Sequence, residues 1–464
     1  MRKNRIINNI IKVVISNGII LLASLLANFC LPNMMEIGEY GLYKEFTLYF
    51  SYCGLLHLGF IDGMYVKYGG MELAEINQKE LKVFTTFFYI FQFCMLFIAL
   101  AISCILNTDN RFFIISLAIM GVLNNITTFY QYLSQATERF NELTVRNIIK
   151  AILQILVIII LLMLVNLHII SDVHAKLYIV LTVFTTVILT FWYERTYQCF
   201  SFSMIKHISK DKKPIIKLFS KGFPILIAGS ISNLILISDR QFAVIYSNNE
   251  DYAIYAFAYS IAALLITLVS AVSIVLFPSI KRINENYLRQ SYNNSMTYIL
   301  SLAFGFGVFF QVISLVISLF VPKYVDSVRY IYFLMPAMIL NIVISSTNTN
   351  FYKALGMNRK YLQVSVIVFI FAIISNYLSL VIIKDLIGLT VASVLTFFVW
   401  YFLSTRDIAK RVDLKVKRFF VYAVLMICTY YFSYRFFSKL LGTVIYLLIW
   451  IVGSVILIKM KNKL

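Results

Sequence analysis

The chain has 464 residues, of which 61% are hydrophobic and only 13% charged. A soluble fold of this size could not cover so much apolar surface, so the composition excludes a soluble domain and points to a polytopic membrane protein. The formal charge of +20 invites a nucleic-acid reading, but the basic residues lie in short segments between apolar runs, where the positive-inside rule explains them.

Met1 to Lys12 is basic and leads into an apolar stretch that reaches Pro32 with no small-x-small cleavage pattern. That stretch is read as the first span rather than as a cleaved signal. Membrane-length apolar runs then recur to the end of the chain. They place fourteen spans at roughly 10–32, 46–66, 83–106, 112–134, 151–170, 177–193, 219–246, 253–280, 296–320, 328–352, 362–383, 387–404, 419–437 and 441–458. The fold class is therefore an all-α polytopic membrane protein of about fourteen transmembrane helices. With the N-terminus inside, the inner segments carry 31 of the 41 Lys and Arg residues and the outer ones 8, which places both termini in the cytoplasm. The most basic inner loops, Arg195 to Lys217 and Arg406 to Arg418, read as topology signals that also touch anionic lipid.

Trp192 and Trp400 fall near inner span ends as interfacial anchors. Pro224 sits in the first turn of span seven, where its missing N–H is harmless. Pro336, two turns into span ten, is a candidate kink. The six cysteines show no C-x-x-C spacing and the four histidines are scattered, so neither a disulfide framework nor a metal centre is indicated. No Walker A loop or catalytic constellation is present, so the chain is read as a transporter without an organic cofactor rather than an enzyme.

Two turns repeat. Glu39-Tyr40-Gly41-Leu42-Tyr43 follows span one, and Asp251-Tyr252-Ala253-Ile254-Tyr255 follows span seven, at an offset of 212 residues. Both enter the membrane in the same direction, which predicts parallel repeats. Residues 1–217 would form an N-terminal lobe of spans 1–6, residues 218–404 a second lobe of spans 7–12, and residues 405–464 two additional helices. The offset sets Asp239 and Arg240 opposite Ala27 and Asn28, so the charged pair belongs to the second lobe alone. A charged pair inside an apolar run is costly and needs a reason.

Four stretches resemble the oligosaccharide flippase family (Wzx-like, polysaccharide biosynthesis type) of the multidrug/oligosaccharidyl-lipid/polysaccharide exporter superfamily. They are Glu39 to Tyr43, Leu58-Gly59-Phe60-Ile61-Asp62-Gly63, Gly222-Phe223-Pro224 with Ser238-Asp239-Arg240, and Asp251 to Tyr255 followed by Ala258-Tyr259. Ala253 stands where the family's Gly is expected. The resemblance implies two lobes around a V-shaped cavity and alternating access. It implies a flippase of the bacterial cytoplasmic (inner) membrane that moves an undecaprenyl-pyrophosphate-linked oligosaccharide to the outer leaflet. The product would feed O-antigen, lipopolysaccharide or capsule, with membrane lipids and a polymerase or other assembly proteins as partners.

Such a substrate asks for particular side chains. Pyrophosphate suits the planar fork of Arg240. The alternative is that Asp239 and Arg240 make only interfacial contacts, since adjacent helix residues diverge by about 100°. Amides suited to sugar include Asn28, Asn124, Asn341 and Asn348, although helix–helix hydrogen bonding is the commoner use of such groups. If H⁺ or Na⁺ couples transport, Asp62, His57 and Glu39 are candidate coupling or gating groups; each also reads as an ordinary packed or loop-end residue. Lys44 is either a cavity-edge charge or an interface residue. The competing readings are a drug or small-molecule antiporter of the same superfamily and, more remotely, a membrane polysaccharide polymerase. The short outer loops weigh against the polymerase.

Overall fold

The computed structural model describes residues 2–106, 110–197, 212–281 and 287–461. Cys199, His207 and most of the basic segment between Arg195 and Lys217 lie outside the described residues. Among the described residues the regular structure is helical, with no strand. In chain order the helices are α1 (Arg2–Met34), α2 (Ile37–Tyr52), α3 (Phe60–Tyr68), α4 (Gln78–Leu106), α5 (Arg111–Ala136), α6 (Phe140–Asn166) and α7 (Ala175–Tyr197). They continue with α8 (Lys212–Tyr246), α9 (Asn249–Lys281), α10 (Leu288–Gly305), α11 (Phe310–Phe320), α12 (Ser327–Val343) and α13 (Thr349–Ala354). The last are α14 (Asn358–Ile383), α15 (Leu386–Val412), α16 (Lys417–Phe436) and α17 (Lys439–Lys461).

Among the described residues, twelve helical segments are long and apolar enough to cross a membrane, and the chain is a multi-pass membrane protein. The other two expected spans correspond to the interrupted α2–α3 stretch and to α9, which is 33 residues long. The side chains follow the solvent they face. On α6, Leu156, Ile160 and Met163 are exposed at helical spacing, as apolar residues facing lipid would be. On α12, every residue from Leu334 to Val343 is buried, the pattern of a helix surrounded by others.

Three spans depart from uninterrupted helix. The expected span 46–66 is broken by a 3₁₀ turn, Cys53–His57, then Leu58 and Gly59, both left-handed at φ 49° and 83°. Glycine takes that conformation without steric cost. Nδ2 of Asn125 donates to the Cys53 carbonyl at 3.2 Å, satisfying a backbone acceptor that an intramembrane break would otherwise expose. A 3₁₀ turn, Phe306–Phe309, separates α10 from α11. A π-turn, Ile344–Asn348, joins α12 to α13, so the irregularity of span ten comes after Pro336, which lies inside a continuous helix. Helix α6 also starts well before the expected residue 151. Its first turns carry Glu142 and Arg146, which depress hydropathy, yet their contacts with α7 hold the segment in helix.

The chain divides into two compact units, Met1–Ser230 and Ile231–Leu464, with the boundary inside α8. In the first unit, α5 is packed by α3, α4 and α7, and α1 lies along α6. In the second, α12 is packed by α9, α10 and α15; α14 pairs with α15, and α16 pairs with α17. Counting from α1 and from α8, the fourth span of each unit is the helix that the second, third and sixth spans surround.

Candidate functional site

The charged pair of α8 lies within the second unit, and its two members have different environments. Asp239 is 3% exposed. Its Oδ2 accepts the Tyr255 hydroxyl at 2.9 Å and the Ser393 hydroxyl at 2.9 Å, and its Oδ1 accepts the Arg240 backbone N–H at 2.7 Å. The carboxylate is thus held by α9 and α15, with both oxygens used. Below it on α8, Ser238 accepts a hydrogen bond from Asn376 at 3.2 Å. Arg240 is half-buried and makes no salt bridge with Asp239 among the described residues. Its guanidinium stacks 4.0 Å above the Tyr259 ring. One terminal nitrogen reaches the Leu236 carbonyl at 3.4 Å, and the buried Nε has no hydrogen-bond partner among the described residues. A planar cation whose position is fixed by an aromatic face, with donors unspent, is suited to an anion.

The first unit holds a cation on the same scaffold. Lys44 of α2 donates to Asn28 Oδ1 of α1 at 3.3 Å, and its ammonium lies 5.0 Å over the Tyr40 ring and 5.5 Å from that of Tyr43. Asn28 and Lys44 are sixteen residues apart, as are Asp239 and Tyr255. Each unit thus has an acceptor on its first helix, a partner sixteen residues on and a cation against a tyrosine ring, although Tyr259, the ring under Arg240, lies four residues beyond the repeated turn. The positions at the 212-residue offset from Asp239 and Arg240 hold Ala27 and Asn28, so no charged pair stands there; the first unit's cation, Lys44, is on α2.

Glu39 is spent on structure. Its Oε2 accepts the Ala175 backbone N–H at 2.6 Å, at the start of α7, where a carboxylate also complements the helix dipole. Its Oε1 is 3.5 Å from His174 Nδ1. His57 and Asp62 flank the break in span two, 3.9 Å apart. The His57 Nδ1 accepts the Gly59 N–H at 3.1 Å, so the nitrogen nearest the carboxylate presents a lone pair rather than a proton. The Asp62 Oδ2 is buried and takes no hydrogen bond among the described residues. Directly behind it, α3 meets α8 backbone to backbone. A Cβ on Gly63 would collide with the Leu218 carbonyl, and one on Gly222 with Gly59 and Gly63. Two of the motifs quoted from the sequence, Leu58 to Gly63 and Gly222 to Pro224, are thus one contact.

The amides are dispersed. Asn348 is fully enclosed: its Oδ1 accepts from Tyr292, and its Nδ2 donates to Ser404 and Thr405. It ties α10 and α15 to the π-turn. Asn341 is 3% exposed with its Nδ2 unpartnered among the described residues. Asn124 is half-buried on α5, beside Asn125, which bonds Gln92 at 3.0 Å.

A family model described as polysaccharide biosynthesis protein matches residues 6–284, more than half of the chain. No curated protein matches in sequence. Among solved structures, the chain is similar to a lipid II flippase, MurJ, in an inward closed conformation. That match has 13% identity and a TM-score of 0.70, and covers 98% of this chain and 99% of that one. It is also similar to a structure of MATE, at 13% identity and a TM-score of 0.59 over 89% and 96% of the two chains. A third similar structure is the outward-facing conformation of a multidrug resistance MATE family transporter of the MOP superfamily, at 12% identity and a TM-score of 0.55 over 87% and 95%. At such identities these likenesses establish the fold.

Proposed function

We propose, for a chain that belongs to the polysaccharide biosynthesis protein family, the role of a flippase in the bacterial cytoplasmic membrane. It moves an undecaprenyl-pyrophosphate-linked oligosaccharide from the cytoplasmic to the outer leaflet by alternating access, coupled to H⁺ or Na⁺. The observation that carries this reading is Arg240. A half-buried guanidinium, stacked on Tyr259 and not ion-paired with Asp239, has the charge and the planar donor set that pyrophosphate oxygens require. In the first unit, taken by itself, Lys44 is a cation held by Asn28. The solved structure titled a lipid II flippase shares the fold over nearly the whole chain, which supports a lipid-linked cargo.

The oligosaccharide would serve O-antigen, lipopolysaccharide or capsule, handed to a polymerase and its assembly partners. Asp62 is the coupling candidate, because a buried carboxylate oxygen with no donor among the described residues is a place for a proton or a cation. A drug antiporter would use an acidic site for a cationic cargo. Asp239 does not offer one, since its oxygens are committed to Tyr255, Ser393 and the backbone of Arg240.

The test is leaflet-resolved transport in proteoliposomes loaded with lipid-linked oligosaccharide, together with surface-polysaccharide staining of cells. Arg240→Ala should abolish translocation with protein level intact, and Arg240→Lys should restore part of it. Undiminished translocation by Arg240→Ala protein would overturn the assignment.

A further inference from the structure

The second unit contains a cavity of about 860 Å³ walled by α11, α12, α15 and α16. It belongs to none of the groups discussed above. Arg329 and Arg435 stand at one end of it, and its walls include Tyr332, Phe333, Val394 and Leu395. The tyrosine hydroxyls of the wall are turned to backbone carbonyls: Tyr332 to Tyr431, Tyr431 to Phe333 and Tyr434 to Gly307. What faces the cavity is therefore mostly ring and aliphatic surface.

The two arginines mark the rim. Arg329 is the third residue of α12 and Arg435 the penultimate residue of α16. Both are exposed, and neither forms a salt bridge among the described residues. Among the described residues Arg329 bonds only its neighbour, the Tyr330 hydroxyl, at 2.7 Å. From that rim the cavity runs inward to Phe310, the first residue of α11, and to Leu395, the tenth residue of α15. At 1.5 Å per residue, both lie about 13–15 Å from the rim end of their helices. That depth is about half of a 30 Å hydrocarbon core. Leu395 is 51% exposed, so the apolar part opens sideways.

We infer that this cavity binds one anionic phospholipid of the outer leaflet, with its phosphate between Arg329 and Arg435 and its acyl chains along Tyr332, Phe333 and Leu395. Three observations select this occupant. Two unpaired guanidinium groups at headgroup depth match a phosphate. The apolar wall below them matches chains of one leaflet. The depth stops near the midplane, which fits an ordinary two-chain lipid and is too short for a long polyprenyl tail. The arginines also lie on the face that is otherwise poor in basic residues, so topology signalling does not account for them.

The experiment is native mass spectrometry of the purified full chain, delipidated and then exposed to phosphatidylglycerol or phosphatidylcholine. The wild type should retain phosphatidylglycerol preferentially. Occupancy should fall about fivefold for each of Arg329→Gln and Arg435→Gln, the scale of one surface charge on an anionic lipid. Val394→Trp, which fills the cavity and keeps both arginines, should lose the bound lipid as well. Size-exclusion elution as a single species controls for folding of each variant. Equal retention of the two lipids, retention unchanged in the double arginine variant, or a dimer that dissociates in Val394→Trp would overturn the assignment.

Discussion

Gly222 of α8 rests on Gly59, the residue just before α3, with no space for a side chain on either: a Cβ on one would enter the backbone of the other. Gly63 closes the same contact against Leu218, and the Phe60 ring packs on Phe219 with centroids 5.3 Å apart. The first unit is therefore sealed by close backbone approach where span two is broken. Gly222→Ala and Gly63→Ala should each destabilise the protein by about 1–3 kcal/mol, the usual cost of overpacking. Gly18→Ala and Gly229→Ala, where a Cβ meets nothing within 4 Å, should leave stability nearly unchanged. Thermal unfolding in one detergent, read as a midpoint for each variant, checks the contrast.

Asp239 and Arg240 are neighbours in sequence with opposite expected phenotypes. Asp239 is a buried acceptor for groups from two other helices, Tyr255 and Ser393. Asp239→Ala should lower the amount of folded protein, because it strands those hydroxyls. Tyr255→Phe and Ser393→Ala should each cost about 1.5–3 kcal/mol, the range for a hydrogen bond to a charged group. Arg240→Ala should leave the amount of protein unchanged and remove transport. Quantifying membrane-inserted protein alongside surface polysaccharide separates the two. A loss of protein in Arg240→Ala equal to that in Asp239→Ala would make the pair purely structural.

Tyr259 supplies the face on which Arg240 lies. Tyr259→Phe keeps the ring but loses the hydroxyl's bond to the Leu236 carbonyl, so it should cost about 0.5–1.5 kcal/mol of stability and leave the transport rate near wild type. Tyr259→Leu removes it and should weaken the positioning of the guanidinium by roughly 0.5–2 kcal/mol, a several-fold drop in transport rate at unchanged protein level. Initial rates in proteoliposomes provide the measurement.

Membrane character, helix number and most span positions were legible because hydropathy reports length and apolarity directly. The break at Leu58–Gly59 was not, since residues 46–66 are apolar enough on average to read as one span despite His57 and Asp62, and a left-handed pair leaves no hydropathy trace. The start of α6 was missed for the opposite reason: Arg146 is 4% exposed and stacks 3.9 Å from the Tyr193 ring, so a polar residue that reads as loop is in fact packed. Within the site, the repeated tyrosine turns were visible, but their purpose was not. Periodicity cannot say that Tyr255 donates to Asp239 or that Tyr259 lies under Arg240. Lys44 had the signal of a cation one residue beyond the Glu39 to Tyr43 turn, yet only the distance to Asn28 distinguishes it from an interface lysine.

Lys44 should matter to transport, with Asn28 as the residue that positions it. Lys44→Ala removes the cation and should reduce translocation strongly. Asn28→Ala leaves the ammonium over Tyr40 and Tyr43 and should reduce it less. Lys44→Arg should retain more activity than Lys44→Ala if charge is the requirement. Rates for the three variants, normalised to inserted protein, test that order, and equal activity of Lys44→Ala and wild type would show that the Lys44 charge plays no part in transport.

Asp62 offers the sharpest test of coupling. Its Oδ2 is buried without a donor among the described residues, and Nδ1 of His57, 3.9 Å away, already accepts from Gly59. An unpaired carboxylate oxygen away from water is costly, and binding a proton or a sodium ion would relieve that cost. Asp62→Asn keeps the shape and removes the charge. If the carboxylate couples transport, this variant should insert normally and still exchange substrate, but an imposed H⁺ or Na⁺ gradient should no longer accelerate it. His57→Gln, which keeps an acceptor near Gly59, should retain the acceleration. Gradient-driven uptake measured beside gradient-free exchange in the same vesicles distinguishes a coupling defect from a folding defect. Full acceleration of Asp62→Asn by either gradient would assign the carboxylate to packing beside the Gly59–Gly222 contact.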